Sequence, residues 1–376
     1  MTLVADTAEL AATPAGFHAQ RLSGLDDPFV RSFAGAAGTA FSTRAFLAAL
    51  FGSIGVAAGA EPVLIGVADS DGRPVALFPF SLTRAGGLRR LEGMGLGVSD
   101  YYTPALADGV ELDAAATAAL WRAVRAALPP SDLLRLINVP PELYGERHAL
   151  SNAGFLAPMG HAATVLPLEG LALGELSVSR DVRRKHKKLA ALGEVRFFEA
   201  SSEDEVEELM AALVRFRRDR FAQMGRRDRL EDPGVAAFYR RLASEQQARV
   251  YGLSVGGEVV AVVYGLAHRG VFTLLVPTMS AEERFQAGSP GLVSLYYAIE
   301  AAIAAGDRVF DFSVGELFYK TRFAARKVEL FERIEARSLL GLLPALGIRG
   351  RTAARLFRQR HAGTIARIRG LLRRAE

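Results

Sequence analysis

The 376-residue chain contains no cysteine. Disulfides, thiolate nucleophiles and cysteine-based zinc sites are therefore excluded. Its six histidines form neither a His-x-x-x-His pair nor a His-x-x-x-x-Asp spacing, so no metal site is expected. No apolar run approaches the ~20 residues that span a bilayer. The first residues, Met1 to Glu9, lack the basic start and apolar core of a signal peptide, which points to a cytoplasmic location.

Positive and negative charges nearly balance in the body, whereas the tail has almost no acid. Residues 338–376 hold nine arginines and a single acid, Glu376, for a net +8. Against +5 for the whole chain, residues 1–337 thus carry −3. A body this close to neutral argues against a nucleic-acid partner. Half the residues are apolar, enough for a packed core, and the length favours two domains.

Read in order, Ser42 caps a helix burying Phe46, Leu47 and Leu50. Residues 62–68 and 74–82 form a hairpin around Asp71-Gly72. Weaker strands follow at 88–91 and 98–106, separated by Gly93-Met-Gly95-Leu-Gly97, which reads as a loop. Asp113 caps an Ala-rich helix that stops at Pro129-Pro130. Then come a strand at 133–139, a helix at 141–152 and a strand at 163–168. A junction at 169–177 leads to a helix carrying Arg183-Arg-Lys-His-Lys-Lys188, whose basic face reads as solvated. After a strand at 194–199, Ser202-Glu-Asp-Glu205 is a capping box opening a long helix. Asp232-Pro233 opens another. Strands at 249–255, 259–267 and 271–276, a helix after 291, a strand at 309–312, a helix around 316–325 and a strand at 328–336 complete the body. The two halves share nearly one order of elements, as two copies of an α/β unit would.

One loop stands out. Gln286-Ala-Gly-Ser289-Pro-Gly291 opens directly onto a helix, where free backbone N–H groups and the helix dipole favour an anion. The same residues approach the G-x-S-x-G of a nucleophile elbow. That reading fails on two counts. The preceding strand ends roughly ten residues too early for an elbow, in which strand runs straight into serine. Pro290 also lacks the N–H that the residue after the nucleophile must lend to an oxyanion.

An antiparallel hairpin sheet, then loop, helix and strand, is the order of GNAT acyltransferases, and 286–291 resembles their Q/R-x-x-G-x-G/A loop, with Ser289 replacing the first glycine. Over about 180–335 the chain resembles the GNAT-related CelD/BcsL family of cellulose and exopolysaccharide synthesis, through Gly288-Ser-Pro-Gly291, Phe310-Asp-Phe, Gly315, Tyr319-Lys320 and Arg220-Phe221. That family is in turn similar to FemABX proteins in pairing two GNAT-like units. The resemblance implies an α/β (α+β) fold of two tandem GNAT-like domains, at 1–170 and 171–337, followed by a basic amphipathic helical tail at 338–376. It further implies transfer of an acyl group from acetyl-CoA or another acyl-CoA to an amine or hydroxyl of a sugar, glycan or lipid precursor. Val276, Thr278, Gln286, Ala287, Gly288, Ser289, Gly291 and Leu292 would bind the cofactor. Tyr319 would protonate the departing thiolate, Asp311 or Glu316 would orient or deprotonate the acceptor, and Lys320 would counter its charge. Arg220, Asp100 and Tyr101 are the expected acceptor contacts.

Two other functions fit parts of the pattern. A FemABX-like enzyme would take an aminoacyl group from charged tRNA, for which the near-neutral body offers no basic groove. A catalytically silent GNAT-fold subunit would bind without turnover. The tail can lie peripherally on an anionic membrane surface, such as the inner membrane, or dock on a protein.

Overall fold

The structure is a computed structural model that describes residues 16–33, 36, 38–142, 144–145, 147–315, 318–323 and 325–361, the side chains of Phe318 and Tyr319 apart. In chain order the strands are β1 (His18–Arg21), β2 (Glu61–Ala68), β3 (Pro74–Ala85), β4 (Leu88–Gly93), β5 (Ala105–Leu106), β6 (Leu133–Val139), β7 (Ala157–Pro167), β8 (Val195–Glu199), β9 (Ala248–Val255), β10 (Glu258–His268), β11 (Val271–Met279), β12 (Val309–Val314) and β13 (Arg326–Ala336). The helices are α1 (Pro28–Arg31), α2 (Arg44–Leu50), α3 (Ala114–Ala127), α4 (Ser177–Ala190), α5 (Glu203–Gln223), α6 (Pro233–Ser244), α7 (Glu283–Gln286), α8 (Pro290–Ala304) and α9 (Leu339–Arg360).

All the strands belong to one mixed sheet in the order β1-β2-β3-β4-β6-β13-β7-β12-β11-β10-β9-β8, with β5 added beside β3. The repeat read from the sequence is visible in it. An antiparallel run β1-β2-β3-β4 ends in a parallel pair, β4 with β6, and a second run β8-β9-β10-β11 ends in the parallel pair β11 with β12. Between the members of each pair runs a crossover helix, α3 in the first and α8 in the second. At the centre the halves exchange their last strands: β13 lies antiparallel to β6, and β7 antiparallel to β12. The fold is a mixed α/β, GNAT-like arrangement with a C-terminal helix, as expected.

Local chemistry explains most elements. Asp69 accepts from the N–H groups of Asp71 and Arg73, both at 2.9 Å, which closes the β2–β3 turn. Asp113 accepts from Ala116 N at 2.7 Å and starts α3. The inner face of α3 buries Leu120, Trp121 and Val124, each worth about 1.5–3 kcal/mol. Packing ties the halves together as well: Phe46 of α2 meets Phe238 of α6 edge-on, ring centroids 5.3 Å apart.

Several expectations need correction. Thr43 rather than Ser42 caps α2, because the Ser42 hydroxyl is drawn to the carbonyl of Thr103. Residues 98–106 form strand only at Ala105–Leu106: Leu96 and Gly97 take positive φ, and Tyr102 N–H is used by the carbonyl of Asn138. The helix expected at 141–152 is absent among its described residues, which form turns. Tyr144 and Gly145 have positive φ there, and His148 Nε2 lies 2.8 Å from the Pro140 carbonyl. The helix expected around 316–325 is a short 3-10 turn, Phe318–Phe323. Glu205 sends its carboxylate to Ser201 N–H rather than to Ser202, although Ser202 still caps α5.

Candidate functional site

β11 and β12 pair in parallel through 271–273 and 309–311 only, although both strands continue. Past Thr273 and Asp311 they part, leaving the rest of β11 with one free edge. On its other edge the register with β10 slips between Tyr264 and Gly265, so Leu275 is an extra residue in a bulge. Bulges of this kind re-aim backbone groups beside functional sites.

Two hollows follow β11 and share α5 as a wall. The larger, of about 600 Å³, is lined by Arg220 and Gln223 of α5, by 277–281, and by Gln286, Ser289, Gly291, Leu292 and Leu295. The smaller, of about 310 Å³, contains Asp100, Arg217, Phe221, Arg227, Asp228, Arg229, Tyr239, Leu275 and Val276. Thr278, Gln286, Ser289, Gly291, Leu292 and Arg220 are therefore gathered in one cavity, while Val276 and Asp100 line its neighbour. Ala287 and Gly288 line neither hollow. Lys185 Nζ of α4 donates to the Ala287 carbonyl at 3.2 Å, and a Cβ on Gly288 would collide with Leu189.

The loop keeps a glycine-like backbone with a serine in it. Ser289 sits at φ 44°, ψ 63°, in the left-handed region. Its carbonyl accepts from Leu292 and Val293, while the N–H groups of Gly288 and Ser289 turn back to Phe285 and Gln286. Pro290 has no N–H, so Gly291 is the first donor of α8. Gly291 is also close enough to Met279 that a Cβ would lie 2.9 Å from its sulfur.

Behind the smaller hollow lies a buried polar cluster built from both halves. Asp311 is fully buried at the point where β12 leaves β11. Tyr101 Oη donates to one of its oxygens at 3.0 Å, Tyr144 Oη to the other, and Ser313 N–H donates at 2.7 Å. Burial outweighs these donors and raises its pKa to about 6. Ser313 Oγ donates to Asp100, whose pKa burial also raises, against the lowering by Ser313 and Lys320. Lys320 Nζ donates to the carbonyls of Ser313, Val314 and Gly315 at 3.2, 3.3 and 2.9 Å. Burial lowers its pKa, partly offset by Asp311 and Asp100. Burial likewise drives the phenols of Tyr101 and Tyr144 far above their usual range, so both are donors at neutral pH.

Asp100, Tyr101, Asp311 and Lys320 thus converge. Glu316 lies outside the described residues, as does the side chain of Tyr319. Tyr144, Ser313, Tyr239 and the arginines of the smaller hollow were not anticipated. Among the described residues no three His, Asp or Glu side chains are grouped to hold a metal.

Residues 177–321 match the family model of the acetyltransferase (GNAT) domain. That stretch begins with α4 and ends just past Lys320, so it contains the larger cavity and the C-terminal share of the polar cluster. No curated protein matches the chain. Among solved structures, FemX aligns over 82% of this chain and 95% of its own, with a TM-score of 0.55 and 11% identity. The C-terminal DUF2156 domain of an Agrobacterium fabrum protein, named as a lysylphosphatidylglycerol synthetase, aligns over 85% of this chain and 95% of its own, at 0.53 and 13%. A tandem GNAT protein from the clavulanic acid biosynthesis pathway aligns over 86% and 99%, at 0.48 and 12%. At these identities the first two likenesses speak for the fold and leave donor and acceptor open.

Proposed function

We propose that the chain is an acyl-CoA-dependent acyltransferase that acts on a hydroxyl or amine of a sugar, glycan or lipid precursor, as in exopolysaccharide synthesis. The observation that carries this reading is the parting of β11 from β12 beside a cavity closed by the loop 286–291. We read 1–170 and 171–337 as two copies of one unit, of which the second holds the donor.

The cavity suits a long, amide-bearing arm ending in phosphates. The free edge of β11 presents backbone donors and acceptors in strand spacing, the way an added strand is held. Thr278 Oγ1 is buried there without a partner among the described residues, a cost that a ligand group would relieve. Gly291 and exposed Arg220 stand where an anionic end would lie. Acyl-CoA, when bound, supplies an acyl group already activated as a thioester.

The chain's own residues divide the remaining work. Asp100, held by Ser313, faces the smaller hollow and takes the acceptor's proton at its carboxylate. Asp311 is too deep to touch an acceptor; it fixes the phenols of Tyr101 and Tyr144 beneath Asp100. Lys320 holds the end of β12 through three carbonyls. Tyr319, the residue before it, remains the proposed proton donor on the donor side. Arg229 bonds only to the carbonyls of Leu96 and Gly97 among the described residues, at 3.0 and 2.9 Å. With no carboxylate bonded to it among the described residues, its guanidinium would favour an acceptor bearing a negative group.

Isothermal titration with acetyl-CoA, followed by assay of thiol release, tests the reading. Binding with turnover on an acceptor panel supports it. Binding without turnover on any acceptor favours a silent binding subunit, and failure to bind any acyl-CoA shifts the donor to aminoacyl-tRNA.

A further inference from the structure

The helix α9 has two apolar faces, and among the described residues only one is packed. At 3.6 residues per turn, Gly341, Ala345, Ile348, Thr352, Leu356 and Gln359 share one side. Gly341 and Ala345 are buried there, and Ile348 packs with Leu133 and Ile334. Arg355 donates to the Met159 carbonyl and Gln359 to the Gly160 carbonyl, both at 3.0 Å. These contacts seat the helix firmly on β6, β13 and β7.

The opposite side carries Leu339, Leu343, Leu346 and Phe357, each between 60% and 85% exposed. They follow one another at helical spacing, with small Gly350 and Ala353 between, and form a stripe about 27 Å long at 1.5 Å per residue. Leu340 and Leu342 widen its start and are also exposed. Exposed Arg351 and Arg358 border the stripe on one side and exposed Arg360 on the other. From 339 to 361 the sequence has no acid.

We infer that this stripe rests on an anionic lipid bilayer, with the leucines and Phe357 below the headgroups and the flanking arginines among their phosphates. An apolar stripe bordered by cations is the pattern of a helix lying in the interface, and anionic lipid attracts basic segments near it. No helix among the described residues is long and apolar enough to cross a membrane, so α9 lies on the surface. A second copy is the weaker occupant: pairing two such stripes would set arginine against arginine with no acid on either helix to neutralise them. The inference does not depend on the proposed activity.

Flotation of the full chain with phosphatidylcholine vesicles, with and without phosphatidylglycerol, tests it. Binding should require phosphatidylglycerol and weaken with salt. The double variant Leu343→Asp/Leu346→Asp should bind at least about tenfold less, with unchanged thermal midpoint, and Arg351→Gln/Arg358→Gln should lose the preference for anionic lipid. Equal binding by the leucine variant, no binding by the wild type, or a lipid-free dimer that the leucine variant abolishes would overturn the inference.

Discussion

The phenol of Tyr101, in the first half of the chain, donates to Oδ1 of Asp311, in the second half, across 3.0 Å. That bond, with its counterpart from Tyr144, means that neither half completes the polar cluster alone. It also keeps a carboxylate buried from bulk solvent, at 0% exposure.

Asp311 should therefore set part of the pH dependence of stability. Its folded pKa of about 6 stands above the ordinary 3.8. Between those values the folded chain holds a proton that the unfolded chain has released, so stability falls as pH rises from about 4 to about 6. At 1.36 kcal/mol per unit the loss is about 3 kcal/mol, constant at higher pH. Asp311→Asn should flatten that slope in denaturant titrations at pH 4.5 and 7; an unchanged slope would assign the titration elsewhere.

Asp100→Asn should leave acetyl-CoA affinity intact and lower kcat by about 10²–10⁴, the usual contribution of a positioned base. Because burial raises the Asp100 pKa above its ordinary value, wild-type kcat should climb with pH through that raised pKa, and the variant should lack that limb. A variant with full kcat would remove Asp100 from the chemistry.

What could be read beforehand divides along physical lines. The hairpin at Asp71-Gly72, the cap at Asp113, the entry at Asp232-Pro233 and the loop 286–291 are signalled by residues within a few positions of one another. The partnership of Asp311 with Tyr144 joins residues 167 apart, and no local periodicity carries it. Tyr144 lies in a stretch whose composition suits a helix, but positive φ at Tyr144 and Gly145 and the bond between His148 and Pro140 prevail. The place of β13 between β6 and β7 is likewise set by packing between halves, since its own apolar pattern suits either neighbour.

Ser289 occupies a position where the backbone favours glycine, and its Cβ costs about 1 kcal/mol there. Ser289→Gly should raise the free energy of unfolding by up to that amount, less the entropy that glycine gives the unfolded chain. Among the described residues its hydroxyl reaches only the Gln286 carbonyl, at 3.5 Å, so little is lost with it. Paired denaturation curves and acetyl-CoA titrations check this. A tighter donor affinity in the glycine variant would show that the serine side chain narrows the cavity, and a weaker one that the hydroxyl contacts the donor.

Lys320 joins structure to chemistry. Its ammonium holds three successive carbonyls at the end of β12 and opposes the rise in pKa that burial imposes on Asp100. Lys320→Met keeps the apolar stem but removes the charge. The three carbonyls lose a donor they share, with an expected cost of about 2–4 kcal/mol for buried polar groups left without it. Asp100 loses a favourable cation, so the acidic limb of the pH–rate profile should move to higher pH. A purely structural lysine would lower the unfolding midpoint and leave that limb in place; movement of both would show that one side chain sets the loop and the base together.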